Sequence, residues 1–501
     1  MLYYYLLLVL TILFIVYKYR NRNKDYWKKK NIVQEEGVLQ TYITRQCSLG
    51  EVYLDIYKKY PNEKYIGVFL NEPALIVKDL NDVHAVLQGD FQNFFSRGTV
   101  QNPRDVLADN VLFIDDYPRW RLIRQKMTPI FTSRKLKNMF YIMDRIACDF
   151  ISNDNNVQLT NTASFHALSV YTTACIAATV FGLDGSPKNY TDSPFLHMVR
   201  DVIGPNFAFN FKFSVSTISP RLFNLLNLKF FDAYKDFFVG AFKQVIDRRR
   251  RDRDPRHDFI DTCIELQNSG RMQDAITGYE LDPSDEVLAA QAFFFFLAGV
   301  DTSATTMHFV LLELASNPKV LARLHQEIDE AFAKCGDALT YDAVDNMQYL
   351  EMVLNESMRK HSPIAQIQRQ CVNKTTLPGG LRVEKGEIIV IPIHALHRDE
   401  NNFPNADVFD PERFSPQNIK NIKRASFLPF GGGNRVCIGK CERLARLQVK
   451  SGVAWFLRNH TLKEQAFNPK NILSLRRDMV VGCPLEAKPF VRSDAYKSSL
   501  N

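Results

Sequence analysis

Ten residues near the C-terminal end carry the plainest chemistry in the chain: Phe430-Gly431-Gly432-Gly433-Asn434-Arg435-Val436-Cys437-Ile438-Gly439. One cysteine sits among glycines, with an arginine two residues before it and an aromatic seven before it. Glycines allow tight turns and bring backbone N–H groups close to a sulfur. The apolar run 438–455 that follows predicts a helix with Cys437 at its N-terminus, where the dipole and free N–H groups favour a negative sulfur. Such a thiolate is a metal ligand. Arg435 offers a fork of donors for a carboxylate, and Phe430 can shield one face. A lone cysteine in this position would more often be a small buried apolar residue, and the chain has nine cysteines.

Three other groupings suit the same kind of site. Ala298-Gly299-Val300-Asp301-Thr302 lies in an apolar stretch. Its small residues let a flat cofactor and O2 approach, and an acid beside a hydroxyl can pass protons. Standing alone it would be a polar kink in a core helix. Trp120 and Arg124 are four apart and share a helix face, so indole N–H and guanidinium can both donate to one carboxylate. A core tryptophan beside a surface arginine gives the same spacing. Glu356 and Arg359 are three apart, which on a helix surface is an ion pair worth roughly a few tenths of a kcal/mol.

Together these residues resemble the cytochrome P-450 superfamily, whose haem-binding signature has the broad form Phe-x-x-Gly-x-Arg-x-Cys-x-Gly. Phe430, Gly433, Arg435, Cys437 and Gly439 match it. The resemblance covers nearly the whole chain, with the motifs in the family's order: Trp120/Arg124, 298–302, Glu356/Arg359, Arg413, Cys437. Tyr26-Trp27-Lys28-Lys29-Lys30, Phe94-Phe95-Ser96-Arg97-Gly98 and Phe131-Thr132-Ser133-Arg134-Lys135-Leu136-Lys137 resemble insect microsomal members. The resemblance implies that Cys437 is the axial thiolate of haem b (iron protoporphyrin), pushing electron density towards the oxygen side. It implies that Arg435 and Phe430 support the haem and that Trp120, Arg124 and Arg369 meet its propionates. Asp301 would relay protons and Thr302 would hold the oxygen species. Glu356, Arg359 and Arg413 would form a structural triad without chemistry. Arg97 is not counted with the site, and His397 is expected at the surface.

The implied fold is mainly α with a small β-rich region, the haem lying between the longest helix and the Cys437 loop. The implied activity is monooxygenation of an apolar small molecule (xenobiotic, hormone or lipid). No Gly-x-Gly-x-x-Gly fingerprint for flavin or nicotinamide occurs, so electrons must come from a separate protein; the resemblance implies NADPH–cytochrome reductase, with a cytochrome b-type donor as a further source. Lys420, Lys423, Arg424, Lys440 and Arg443 form a basic docking face, or simply a solvated one. Two departures stand out. Asn434 replaces the usual proline, and three residues, Lys440-Cys441-Glu442, separate Gly439 from Arg443 where the family has one. A haem-thiolate isomerase or dehydratase, and a haem sensor or carrier, are the alternatives; the Asp301-Thr302 pair argues against both.

The elements that must position these residues follow from pattern. The chain has 501 residues, 46% of them hydrophobic, enough for a large core. Its net charge of +8 suits an anionic membrane or an acidic partner, and no basic stripe interleaved with aromatics suggests nucleic acid. The cysteines include no CxxC pair, which fits a reducing compartment. Residues 2–17 are apolar, and Lys18, Arg20, Arg22, Lys24 and Lys28 to Lys30 follow. That is the pattern of an uncleaved signal anchor over 1–18, holding the rest on the cytosolic face of the endoplasmic reticulum. A basic juxtamembrane linker over 19–50, without the family's proline-rich hinge, would then lead into a catalytic domain over 51–501.

Within that domain a hairpin is expected at 65–70 and 73–77, and a short helix at 81–87. Residues 91–116 are expected as loop, and helices over 120–131, 140–151 and 165–181. Residues 194–213 are expected as apolar loop. Residues 220–231 are amphipathic, either packed or dipping into the membrane. A helix over 232–253 ends in a solvated basic run. The longest helix is expected over 282–317, capped by Asp282 with Pro283 at its first position; at 1.5 Å per residue it spans about 50 Å. Its polar centre argues against a membrane span. Helices at 318–332 and 348–361, a strand at 386–392 and a hairpin at 474–491 complete the reading.

Overall fold

The structure, a computed structural model, describes residues 25–45, 48–69, 72–99, 101–152, 164–183, 186, 191–203, 207–252, 256, 258–336, 338–438, 441–462 and 489–491. The expected anchor at 1–18, the basic residues up to Lys24 and most of the 474–491 hairpin lie outside these.

Strand β1 (Val33–Gln34) is followed by helices α1 (Val38–Arg45) and α2 (Leu49–Lys59). Ser48 starts α2 with a capping box: its Oγ accepts the Glu51 N–H while the Glu51 carboxylate accepts the Ser48 N–H. The hairpin forms as expected, β2 (Tyr65–Phe69) against β3 (Pro73–Val77). Helix α3 (Leu80–His84), capped by Asp79, runs straight into a π-turn, Ala85–Gly89. Loop and single turns of 3-10 helix lead to α4 (Tyr117–Met127), then α5 (Ser133–Ser152) and α6 (Ser164–Phe181).

The stretch 194–213 corrects the sequence reading. It forms two helices, α7 (Pro194–Ile203) and α8 (Phe207–Ile218). In α7 the residues Phe195, Met198, Val199 and Val202 recur at helical spacing and pack on the core, so helical periodicity outweighs the loop-like composition. After α9 (Pro220–Leu225) comes α10 (Asp232–Asp252), and here too the basic end is not wholly solvated. Arg249 is buried between Asp258 (2.8 Å), the cap of the next helix, α11 (Phe259–Asn268), and Asp261 (2.7 Å) in its first turn.

A small hairpin, β4 (Met272–Gln273) and β5 (Glu280–Leu281), precedes the longest helix, α12 (Asp285–Ser316). Its cap is Ser284, whose Oγ accepts the Val287 N–H, and not Asp282. Asp282 stands before Pro283, which disfavours helical backbone there, so the helix begins beyond the proline. Helices α13 (Pro318–Cys335), α14 (Tyr341–Asp345) and α15 (Gln348–Lys360) follow. Next come β6 (Ile367–Gln370), the hairpin β7 (Thr375–Thr376) and β8 (Arg382–Val383), β9 (Ile388–Ile391) and α16 (Ile393–Leu396). Helix α17 (Cys441–Asn459) leads into β10 (His460–Leu462), which pairs with β11 (Pro489–Val491).

The fold is mainly helical with a small β-rich region. Five strands make one mixed sheet in the order β1-β2-β3-β9-β6. Residues 26–45, expected as linker, join this region. Trp27 is fully buried, its Nε1 donates to the Val68 carbonyl (3.1 Å), and β1 pairs with β2. Gly67 is required there, since a Cβ would lie 2.1 Å from the Trp27 ring. The larger core surrounds α12 and α6, both apolar on nearly every side and therefore buried. Among the described residues α12 is the one helix long and apolar enough to cross a bilayer, yet 67% of its apolar window is covered by the rest of the fold.

Candidate active site

The Cys437 loop is closed at its neck by its own backbone. The Cys437 N–H donates to the Phe430 carbonyl (3.0 Å), the Gly431 N–H to Leu428 (3.0 Å) and the Val436 N–H to Gly433 (3.1 Å). Gly431 and Gly433 hold φ of 76° and 67°, the left-handed region that a side chain disfavours. Gly433 has a second constraint: a Cβ would lie 1.8 Å from the Leu87 carbonyl oxygen of the π-turn. Leu87 is thus part of the loop's bed, with no signal in the sequence beyond an apolar position. Cys437 does not begin the helix as expected. It sits in a bend, and α17 starts at Cys441. Of the residues between Gly439 and Arg443, Cys441 and Glu442 form the first turn of this helix.

Four arginines converge beside this loop from separate elements. Arg124 on α4 donates to the Val436 carbonyl (2.7 Å), and Arg97 reaches the Arg435 carbonyl (3.5 Å). Arg435 donates to Ile114 (2.8 Å), and Arg369 on β6 donates to Gln368 (2.8 Å). The Arg435 guanidinium also lies over the Trp120 ring, 4.5 Å from its centroid. Burial, then the neighbouring guanidiniums, pushes Arg435 down to about 9 and Arg97 down to about 10; Arg369 falls well below the usual range for the same causes. Asp115 opposes the shift of all three, holding Arg97 by its backbone N–H (3.1 Å) and Ser96 by its hydroxyl (2.7 Å). A thiolate at Cys437 would support the charge of both Arg97 and Arg124.

This cluster keeps buried donors without acceptors: Trp120 Nε1, Arg97 Nε, Arg369 Nε, and Arg435 Nε and Nη1. Buried unpaired donors are costly, and several cations around one carboxylate call for further anions. Two carboxylates of an amphipathic cofactor fit that need. Trp120, Arg124, Arg369 and Arg435 are therefore brought together. Arg97, passed over in the sequence, belongs with them; its signal was the Ser96-Arg97-Gly98 turn, where Gly98 has φ of 66°.

Helix α12 presents the second half of the site. It is buried along most of its length, but Phe294, Leu297, Ala298, Gly299, Asp301 and Thr302 keep accessible surface. At helical spacing Phe294, Leu297, Ala298, Asp301 and Thr302 form one stripe, and Gly299 lies off it. Burial pushes the Asp301 carboxyl up to about 7. The Thr302 hydroxyl donates to the Ala298 carbonyl (2.6 Å), and Thr306 does the same to Thr302 (2.8 Å); such back-bonds bend helices slightly. Gly299 has a different role from the one expected. A Cβ there would lie 2.5 Å from Ile176, so its smallness admits α6 and not a cofactor.

Behind the loop, Glu356 and Arg359 are fully buried rather than a surface pair. Arg413 joins them at 3.4 Å from Glu356. His397 is also not at the surface: it is fully buried, and its Nε2 accepts the Leu428 N–H (2.8 Å), which ties α16 to the start of the Cys437 loop.

A cysteine loop with buried cations waiting for carboxylates, set in a mainly helical fold with an acid–threonine pair on the central helix, defines the class of haem-thiolate proteins. The profile described as Cytochrome P450 matches residues 38–487, and the chain belongs to the cytochrome P450 family. Probable cytochrome P450 6a13 of Drosophila melanogaster is 34% identical over 463 residues, 91% of this chain and 92% of the relative. Cytochrome P450 6B2 of Helicoverpa armigera is 33% identical over 485 residues, 94% of each chain, and cytochrome P450 6B1 of Papilio polyxenes is 33% identical over 452 residues, 87% and 89%. The protein is a haem-thiolate monooxygenase.

Proposed function

We propose that this monooxygenase is anchored in the endoplasmic reticulum membrane and works on apolar small molecules, xenobiotics, hormones or lipids, at its cytosolic face. Residues 1–18 serve as the anchor, the following basic residues face the cytosol, and the catalytic unit begins near Tyr26. Electrons come from NADPH through NADPH–cytochrome reductase, with a cytochrome b-type donor as a further source. Among the described residues Lys420, Lys423, Arg424 and Arg443 are exposed and offer the reductase a basic face. The observation that carries the reading is the buried cluster of guanidinium and indole donors without acceptors beside Cys437.

Haem b, held here, would supply the oxidising chemistry by which one oxygen atom of O2 enters the substrate. Cys437 ligates the iron as thiolate. Arg97, Arg124, Arg369, Arg435 and Trp120 hold the two propionates and so fix the cofactor's orientation. Phe430 covers the thiolate side. The Thr302 hydroxyl, which donates to the Ala298 carbonyl, would hold the proton to be delivered, and Asp301, its carboxyl pushed up to about 7, can take a proton from water and pass it on. Phe294 and Leu297 on the same stripe give the substrate space an apolar wall.

The test is an absorption spectrum of the detergent-solubilised protein, reduced and exposed to carbon monoxide. A strongly red-shifted Soret band, lost in Cys437→Ala and kept in Cys441→Ala, is the expected result. A parent band at the position of neutral ligation would overturn it. With reductase added, substrate-dependent NADPH consumption separates this reading from a carrier or an isomerase.

Asp301 gives a second test. Its folded pKa lies above the ordinary carboxylate value of about 4, so stability falls as pH rises from about 4 to about 7. In that window the unfolded chain has lost the proton that the fold retains; above pH 7 both are ionised and the penalty is constant. Asp301→Asn should gain in unfolding midpoint over the parent across this window and keep the gain above it, while turnover falls by about 100-fold. Parallel pH dependences for the two proteins would count against a buried, near-neutral carboxyl.

A further inference from the structure

Arg446, in the second turn of α17, has its guanidinium held from two helices. Glu442, one turn earlier, accepts from Nε (2.9 Å) and Nη2 (2.8 Å). Glu351 and Asn355 on α15 accept from Nη1 (2.5 and 2.9 Å). So fixed, the guanidinium lies over the Phe430 ring, 5.0 Å from its centroid. Its side chain is 17% exposed, and partial removal from water strengthens a cation's attraction to a ring face.

Phe430 is one side of the neck that closes the ligand loop, since its carbonyl accepts the Cys437 N–H. Its ring is the only aromatic side chain between 430 and 439, and the three residues after it are glycines with no side chain to anchor. A continuous set of contacts therefore runs from α15 to Arg446, to the Phe430 ring, to its carbonyl and to Cys437. Glu442, which orients Arg446, comes from the stretch Lys440-Cys441-Glu442 where the chain is longer than the family pattern.

We propose that Arg446, oriented by Glu442 and Glu351, is a positioning residue for the Cys437 thiolate, and that the two additional residues serve this clamp. The inference rests on the reading of Cys437 as haem ligand. Its effect is on the permanence of thiolate ligation, because a loosened neck lets the sulfur leave or take up a proton.

The experiment follows the reduced, carbon-monoxide-exposed full-length protein over time as the red-shifted band converts to the band of neutral ligation. Arg446→Gln should start with the red-shifted band and lose it about five- to tenfold faster than the parent. Arg446→Lys should fall between, and Glu442→Gln should also be faster than the parent. Lys450→Gln, which loses a partner of the same Glu351 at 3.5 Å without touching Phe430, should convert at the parent's rate. In Phe430→Leu, adding Arg446→Gln should cause no further acceleration, the non-additivity of residues acting through one contact. A parent-like rate in Arg446→Gln, an equal acceleration in Lys450→Gln or additive effects with Phe430→Leu would each overturn the inference. If Arg446→Gln binds no haem, the Glu442→Gln rate decides, and a parent-like value overturns it. A parent without the red-shifted band would instead overturn the ligand assignment itself.

Discussion

Arg359→Ala is expected to leave little folded protein. Arg359 is fully buried; its Nε and Nη2 donate to Glu356 at 2.7 and 2.8 Å, and the remaining donors reach the carbonyls of His397 (2.8 Å) and Ala406 (2.7 Å). Truncation strands the Glu356 charge in the core and three segments lose their common donor. Removing one partner of such a pair costs about 3–5 kcal/mol, against a total stability of about 5–15 kcal/mol for a typical domain. Arg413, 3.4 Å from Glu356, cannot replace it, because its other nitrogens are engaged with Pro404 and Asn405. Arg359→Lys should recover only part of the loss, since an ammonium cannot form the fork. Denaturant unfolding measures this; a loss under about 1 kcal/mol would contradict the assigned role.

Gly433→Ala is expected to separate haem binding from folding. At φ of 67° and with a Cβ 1.8 Å from the Leu87 carbonyl oxygen, alanine forces the loop off the π-turn. The helical core does not depend on that contact, so the far-ultraviolet circular dichroism should stay close to the parent's while haem content falls at least about tenfold, a loss of about 1.4 kcal/mol in binding. Gly240→Ala in α10 is the matched control. Nothing lies within 4 Å of its Cβ position, and an alanine in a helix interior should stabilise by up to about 1 kcal/mol. Full haem content in Gly433→Ala would show that the loop is not seated on Leu87.

Both predictions concern residues of known motifs, but their weight comes from different sources. Cys437, Arg435, Trp120, Arg124 and the Asp301-Thr302 pair were singled out because side-chain type and offset along the chain already encode what each can donate, accept or ligate, whereas the Glu356/Arg359 spacing alone read as a surface pair and only the structure shows it buried. The long helix was legible for a similar reason: capping residues, a proline and an unbroken apolar run are local signals. Helices α7 and α8 were missed because the Phe- and Asn-rich composition of the stretch reads locally as loop; in α7 burial of one face decided the matter. His397 and Arg249 were assigned to solvent because polarity is a residue's own property while burial belongs to its neighbours.

By itself, then, the sequence determined the inventory: a thiolate loop, an acid–hydroxyl pair, a set of cations and the helices that carry them. Only the tertiary structure decided which of these meet. Arg97, Arg124, Arg369 and Arg435 lie on four separate segments, and the deficit of acceptors that Arg97, Arg369 and Arg435 share exists only after folding brings them together. The same holds for Gly299 against Ile176, Gly433 against Leu87 and Arg446 against Phe430. Contacts of this kind depend on distances between elements, which no local pattern records.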